Sequence, residues 1–184
     1  MLTGSLKEKY GKYARLERER RFLLEDLPAG LTRASPHVQI WDNYITGTRL
    51  RLRQVRVPQT KEYTWKLTQK FAPAPDDFSR TVITNIYLSR YEYEVLSVFA
   101  GNEIRKNRYP FAFEGRAFGI DVFLGPLWGL VLAETEFETD EELEGSLAPP
   151  FALTEVTSDE LFTGARLSQL SFDDIKAELE RRAR

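Results

Sequence analysis

The sequence predicts an α+β fold in which an eight-stranded antiparallel β-barrel carries a few flanking helices, all within one domain over residues 1–184. Three observations predict it. Eight segments alternate polar and apolar residues with period two, the signature of strands with two different faces. Turn-forming clusters, "LPAGLTRASP", "APAPDD" and "FLGPLWG", separate several of them. Helical periodicity is confined to a few stretches, so most of the chain must satisfy its backbone in sheet. Many short strands in one small domain remove their exposed edges by closing into a barrel. With 184 residues and a hydrophobic fraction of 42%, the chain can bury one core, and no composition shift marks a second unit.

Residues 1–14 read as a polar leader of unassigned task. The predicted strands then follow as "LERERRFLL", "HVQIWDNYI", "GTRLRLRQVRV", "EYTWKLTQKF", "RTVITNIYLS", "EIRKNRYPFAF", "RAFGIDVFLG" and "GLVLAETEFET". Between the fifth and sixth, "SRYEYEVLSVFAG" reads as a helix: Ser89 and Glu92 have capping-box spacing, Tyr91, Val95 and Phe99 share a face, and Gly101 closes it. Two more helices are expected near the end, one from about Thr157–Ser158 and one over 171–184. In the second, Asp174 takes the capping-box position after Ser171, and i,i+4 charge pairs suit a surface helix.

Composition excludes several chemistries. No cysteine is present, which removes disulfides, thiolate metal sites and cysteine nucleophiles. The single histidine, His37, follows a proline and reads as a loop or strand-edge residue, so multi-histidine zinc sites and Ser-His triads fall away. A net charge of −2 argues against coating nucleic acid by bulk charge. The start lacks a secretory pattern, and no apolar run approaches a membrane span. The expected setting is cytoplasmic, without a membrane, as a monomer or homodimer.

The polar strand faces carry unusual rows of charge. Glu17, Glu19 and Arg21 share one face, as do Arg49, Arg51 and Arg53 opposite Leu50 and Leu52. Lys66, Thr68 and Lys70 lie opposite Trp65 and Leu67, Lys106 and Arg108 alternate, and Glu134, Glu136 and Glu138 lie opposite Ala133, Thr135 and Phe137. Pointing outward, such rows would protect edges or form a soluble face. Pointing inward, they require each row to meet the opposite sign, water or a bound ion. A wet interior with acids on one side and bases on the other suits a polyphosphate carrying a hard cation. Carboxylates hold Mg²⁺ or Mn²⁺, while arginine forks and lysines hold phosphate.

These segments resemble the CYTH family, the triphosphate tunnel metalloenzymes. The family's first-strand Glu-x-Glu-x-Lys is matched by Glu17, Glu19 and Arg21, followed by "FLL". "TRLRLRQV", "YTWKLTQKF", "IRKNRYPF" and "IDVFLGPLWGLVLAETEFET" resemble its arginine strand, lysine strand, Lys-x-Arg-Tyr segment and carboxy-terminal hairpin, and "EVTSDELFTGARLS" its closing segment. The likeness runs from about Leu16 to Ser168. Two departures stand out. Arg21 replaces the usual lysine, and "SRTVITNIYLS" follows Arg80 with Val82, Thr84 and Asn85 where the family usually carries glutamates.

The resemblance implies a tunnel that binds a small triphosphate, with Mg²⁺ or Mn²⁺ held by Glu17, Glu19, Glu134 and Glu136. Arg21, Arg51, Arg53, Lys66, Lys70, Arg80, Lys106 and Arg108 would cradle phosphates, with Arg49 inside or at the mouth. The implied activity is hydrolysis of inorganic triphosphate or a small organic triphosphate. A class IV-type adenylate cyclase on the same scaffold needs an adenine pocket that no stretch provides. A non-catalytic polyphosphate or nucleotide binder fits the missing middle-strand acids. An RNA-binding barrel would interleave aromatics with the bases on these faces, which carry Thr68 and arginines instead. Trp41 and Trp128 read as packing or rim residues, and Asp121 as either a tunnel residue or an arginine's partner.

Overall fold

A computed structural model describes residues 10–182; residues 1–9 of the leader and the last two of the chain lie outside them. The strands are β1 (Arg15–Leu24), β2 (Val38–Ile45), β3 (Leu50–Arg56), β4 (Tyr63–Phe71), β5 (Arg80–Leu88), β6 (Gly101–Phe113), β7 (Arg116–Leu124), β8 (Val131–Phe137) and the two-residue β9 (Thr154–Glu155). Their order is β5-β4-β3-β2-β6-β7-β8-β1-β9, and β5 also pairs with β1, so eight antiparallel strands close into a barrel. Every strand expected from period-two alternation forms. Closure is made by β1, whose Arg15–Arg18 stretch pairs with β5 while Phe22 and Leu23 pair with β9 on the same edge. The opposite edge of β1 runs against β8, placing Glu19 opposite Glu136 and Arg21 opposite Glu134.

Local chemistry sets the turns. The β6–β7 hairpin turns on Glu114 and Gly115, both with positive φ (48° and 76°), the two-residue geometry whose twist matches the flanking strands. Helix α1 (Arg90–Leu96) starts at Ser89, whose capping box with Glu92 is complete. It ends before Phe99, and its expected apolar face stays open: Tyr91, Val95 and Phe99 are all exposed, and Gly101 begins β6 instead. An unanticipated α2 (Asp140–Gly145) follows β8, capped by Thr139. Near the end a 3-10 turn (Glu160–Phe162) and the short α3 (Gly164–Leu167) take the place of the first expected helix. Helix α4 (Phe172–Arg182) forms with Ser171 and Asp174 hydrogen-bonded at its start.

Two apolar clusters frame the barrel. Outside, Phe22, Leu24, Tyr109, Phe118, Ile120, Val122, Val131 and Ala133 form a layer covered by Leu27, Leu31, Phe151 and Ala152. This cover comes from loops. The second cluster joins Ile104, Phe123 and Leu132, which share the inward parity of their strands, to Leu161, Phe162, Leu167 and Ile175. Helix α4 therefore carries charge pairs on one side while sealing Ile175 completely on the other, so it is an anchored helix. The remaining interior is left for the charged rows.

Candidate active site

The period-two geometry of β1, β3, β4, β6 and β8 sends their charged rows inward. One cavity of about 490 Å³ is lined by Glu17, Glu19 and Arg21 from β1, Arg51 and Arg53 from β3 with Arg49 just before it, Lys66 and Lys70 from β4, Lys106 and Arg108 from β6, and Glu134 and Glu136 from β8. That volume lies within the range of small-ligand sites. Carboxylates and cations thus converge although β1 and β8 are more than a hundred residues apart in sequence.

Arg80 is the one expected site residue placed elsewhere. Thr81, Ile83 and Asn85 line the cavity, so alternation turns Arg80 outward. It bonds Asp140 at 2.8 Å and Glu144 at 2.9 Å on α2. Of the three middle-strand residues noted as replacing acids, only Asn85 faces the cavity, where its side-chain oxygen accepts a 2.7 Å hydrogen bond from Thr68. The inward face of β5 still carries no acid.

Two interior acids were missed or left open. Asp42 of β2 is 1% exposed and grips Arg53 through bonds of 2.6 and 2.7 Å, with Arg51 at 3.8 Å. Burial alone would raise its carboxyl, but Arg53 and Arg51 outweigh this and hold it at about 2. Only its parity within "HVQIWDNYI" could have signalled it. Asp121 of β7 is fully buried and is a cation partner: it accepts from Lys106 at 2.5 Å and from Arg108 at 2.7 and 2.6 Å. Arg108 also reaches Glu134. Gly119, paired opposite Glu134, makes room for that reach, since a Cβ there would stand 3.1 Å from the Arg108 side chain.

The acids differ in electrostatic state. Burial would raise Glu134, but Arg108, Lys106, Arg21 and Lys70 hold it well below the usual carboxylate range. Glu136 moves the other way, raised by burial and then by repulsion from Glu17 and Glu19. Lys70 donates to Glu17 at 2.5 Å and to both Glu19 oxygens at 3.1 Å. Burial lowers Lys70, yet Glu19 and Glu17 more than compensate and raise it, whereas for Lys106 burial outweighs Asp121 and Glu134. Among the described residues no three acids or imidazoles are drawn into a metal-ligating group. Lys70 occupies oxygens of Glu17 and Glu19, and Arg108 an oxygen of Glu134.

Arg21 works differently from a compact ammonium. Its guanidinium donates to the Phe162 carbonyl at 2.8 Å and the Phe78 carbonyl at 3.0 Å, tying the 3-10 turn and the β4–β5 loop to β1. Its Nε, the Arg51 Nε and the Thr81 hydroxyl line the cavity buried without a hydrogen-bond partner. Orphaned buried polar atoms are uncommon and suit a polar guest. The remaining single-residue expectations resolve simply. His37 lies before β2 with its Nδ1 2.9 Å from the Ser35 carbonyl, Trp41 is 40% exposed under Arg105, and Trp128 is 60% exposed near Arg33. No helix among the described residues is long and apolar enough to cross a membrane.

A closed antiparallel barrel whose strands aim acids and bases into one cavity is the architecture of a triphosphate tunnel. The chain is 30% identical over 158 residues to a protein of Nitrosomonas europaea named inorganic triphosphatase, covering 83% of this chain and 96% of that one. By that relationship it belongs to the CYTH family of triphosphate tunnel metalloenzymes. The crystal structure of the inorganic triphosphatase NE1496 superposes with a TM-score of 0.55 at 26% identity, over 83% of this chain and 93% of that one. A putative adenylate cyclase from Bacillus halodurans shares the fold, with a TM-score of 0.51 at 14% identity over 83% of this chain and all of that one. No family model matches the chain.

Proposed function

We propose that this protein hydrolyses inorganic triphosphate or a small organic triphosphate, with Mg²⁺ or Mn²⁺ held by Glu17, Glu19, Glu134 and Glu136. The observation that carries the reading is the convergence of cations from β3, β4 and β6 with acids from β1 and β8 in one cavity. The inorganic triphosphatase of Nitrosomonas europaea, covered almost end to end, supports the substrate class.

Carboxylates are the donors a hard divalent cation takes, and the described acids would gather around one only as Lys70 and Arg108 release them. Burial first, then repulsion from Glu17 and Glu19, raises Glu136, and a bound divalent ion would relieve that repulsion. Glu134 would join them by giving up part of its pair with Arg108. When bound, the ion would supply Lewis acidity and neutralise charge on the transferring phosphoryl group. The chain's own contribution is positioning and electrostatics. Arg51, Arg53, Lys66, Lys106 and Arg108 present donors to phosphate oxygens, Lys70 stands between the acids and that row, and Arg49 stands at its end. Arg21 holds the cavity wall closed behind them.

Incubating the purified protein with inorganic triphosphate or ATP, under Mg²⁺ or Mn²⁺, tests the reading. Release of orthophosphate from triphosphate is expected. Abundant cyclic AMP from ATP would move the assignment to a cyclase, and tight binding without turnover under either metal would move it to a binding protein.

A further inference from the structure

We propose that the Lys70 ammonium is a tethered counter-cation occupying the position of the divalent metal, so that metal and ammonium exclude one another there. The inference rests on the metal site proposed above. Lys70 Nζ lies 2.5 Å from one Glu17 oxygen and equidistant, at 3.1 Å, from the two oxygens of Glu19. That symmetric approach across a carboxylate is one a bound cation makes. The lysine side chain is 29% exposed and Glu19 only 9%, so the pair sits at the boundary between the buried cluster and the open cavity.

Charge explains why the lysine is needed. Glu17, Glu19 and Glu136 face one another, and no salt bridge engages Glu136 among the described residues. Without a resident cation, these acids would repel one another inside a closed barrel. Lys70 supplies one positive charge on a flexible stem, which can withdraw when a better counter-ion arrives. The β3 row lies on the strand paired directly with β4, and Arg51 there is near enough to oppose the charge of Lys70. A phosphate chain arriving against Arg51 would draw the ammonium away from Glu17 and Glu19. Metal would then enter with the triphosphate more readily than alone.

Mn²⁺ binding to the full chain in the absence of any phosphate, followed by loss of the free-ion electron paramagnetic resonance signal, reads this out. Lys70→Met and Lys70→Gln should each bind Mn²⁺ at least tenfold more tightly than the unaltered protein, and Mn²⁺ should raise their Tm by more. Adding Glu19→Gln to Lys70→Met should abolish the gain. If the variants melt low, the Mn²⁺-dependent rise in Tm still reports the effect. Equal Mn²⁺ affinity in all three chains overturns the role of Lys70 and leaves the metal site standing. Binding by none of them overturns both.

Discussion

Replacing Asp42 by asparagine removes the acid paired with Arg53 and Arg51 of β3. The carboxylate is 1% exposed, bonded twice to Arg53 and 3.8 Å from Arg51. Its displacement from 3.8 to about 2 corresponds to roughly 2–3 kcal/mol of folding free energy. Leaving two guanidiniums uncompensated raises the expected loss to about 3–5 kcal/mol, the usual cost of breaking a buried pair from one side. For a chain of this size that is a fall in Tm on the order of 6–20 °C. The sign with pH follows from a lowered folded-state value. The Asp42 contribution is fully present above about pH 4 and fades as the pH falls through about 2. Circular-dichroism melts of Asp42→Asn and the unaltered protein between pH 2 and 7 should therefore show a wide gap at neutrality that narrows toward the acid end. Added inorganic phosphate should close part of the gap at pH 7, since an anion can replace the missing charge. A variant melting within a degree or two of the unaltered protein at pH 7 would refute the reasoning.

Glu136→Gln should raise Tm at pH 7, because the raised carboxyl of Glu136 opposes folding while ionised; turnover of triphosphate should be lost. Unchanged turnover would remove Glu136 from the proposed metal set. Arg21→Lys keeps the charge but cannot reach both carbonyls, so urea denaturation should show a loss of about 1–3 kcal/mol, with faster amide exchange around Phe162. Full stability in that variant would show that the guanidinium fork is dispensable. Arg80→Ala should lower stability by no more than about 1 kcal/mol, because its partners on α2 are partly exposed, and should leave the KM for triphosphate unchanged. A tenfold rise in KM would return Arg80 to the cavity.

Much of this site is legible in one dimension because a strand has a strict period of two. The triplets Glu17-x-Glu19-x-Arg21 and Arg49-x-Arg51-x-Arg53 state that their charges share a face, whatever the fold. Where a strand carries its charge singly, the same rule has no anchor. Arg80 looked like a member of the set until Thr81 and Ile83 proved to be the inward residues. Asp42, a lone acid among apolar and amide neighbours, gave no row to notice. Helical spacing put Tyr91, Val95 and Phe99 on one face, but α1 ends before Phe99, and all three are exposed among the described residues.

What the sequence determined alone is the strand inventory, the sharing of faces and the kinds of charge on each, since alternation and composition are local properties of the chain. Which face is inside depends on β1 meeting both β5 and β8, and on the terminal segment filling one part of the barrel with Phe162 and Leu167. The pairing of Lys70 with Glu17 and Glu19 depends on strands distant in sequence being brought together by closure of the barrel, whereas Asp42 meets Arg53 and Asp121 meets Arg108 within single hairpins, once register sets them opposite. Ion pairing is decided by distances of a few ångströms, and only the folded chain sets those distances.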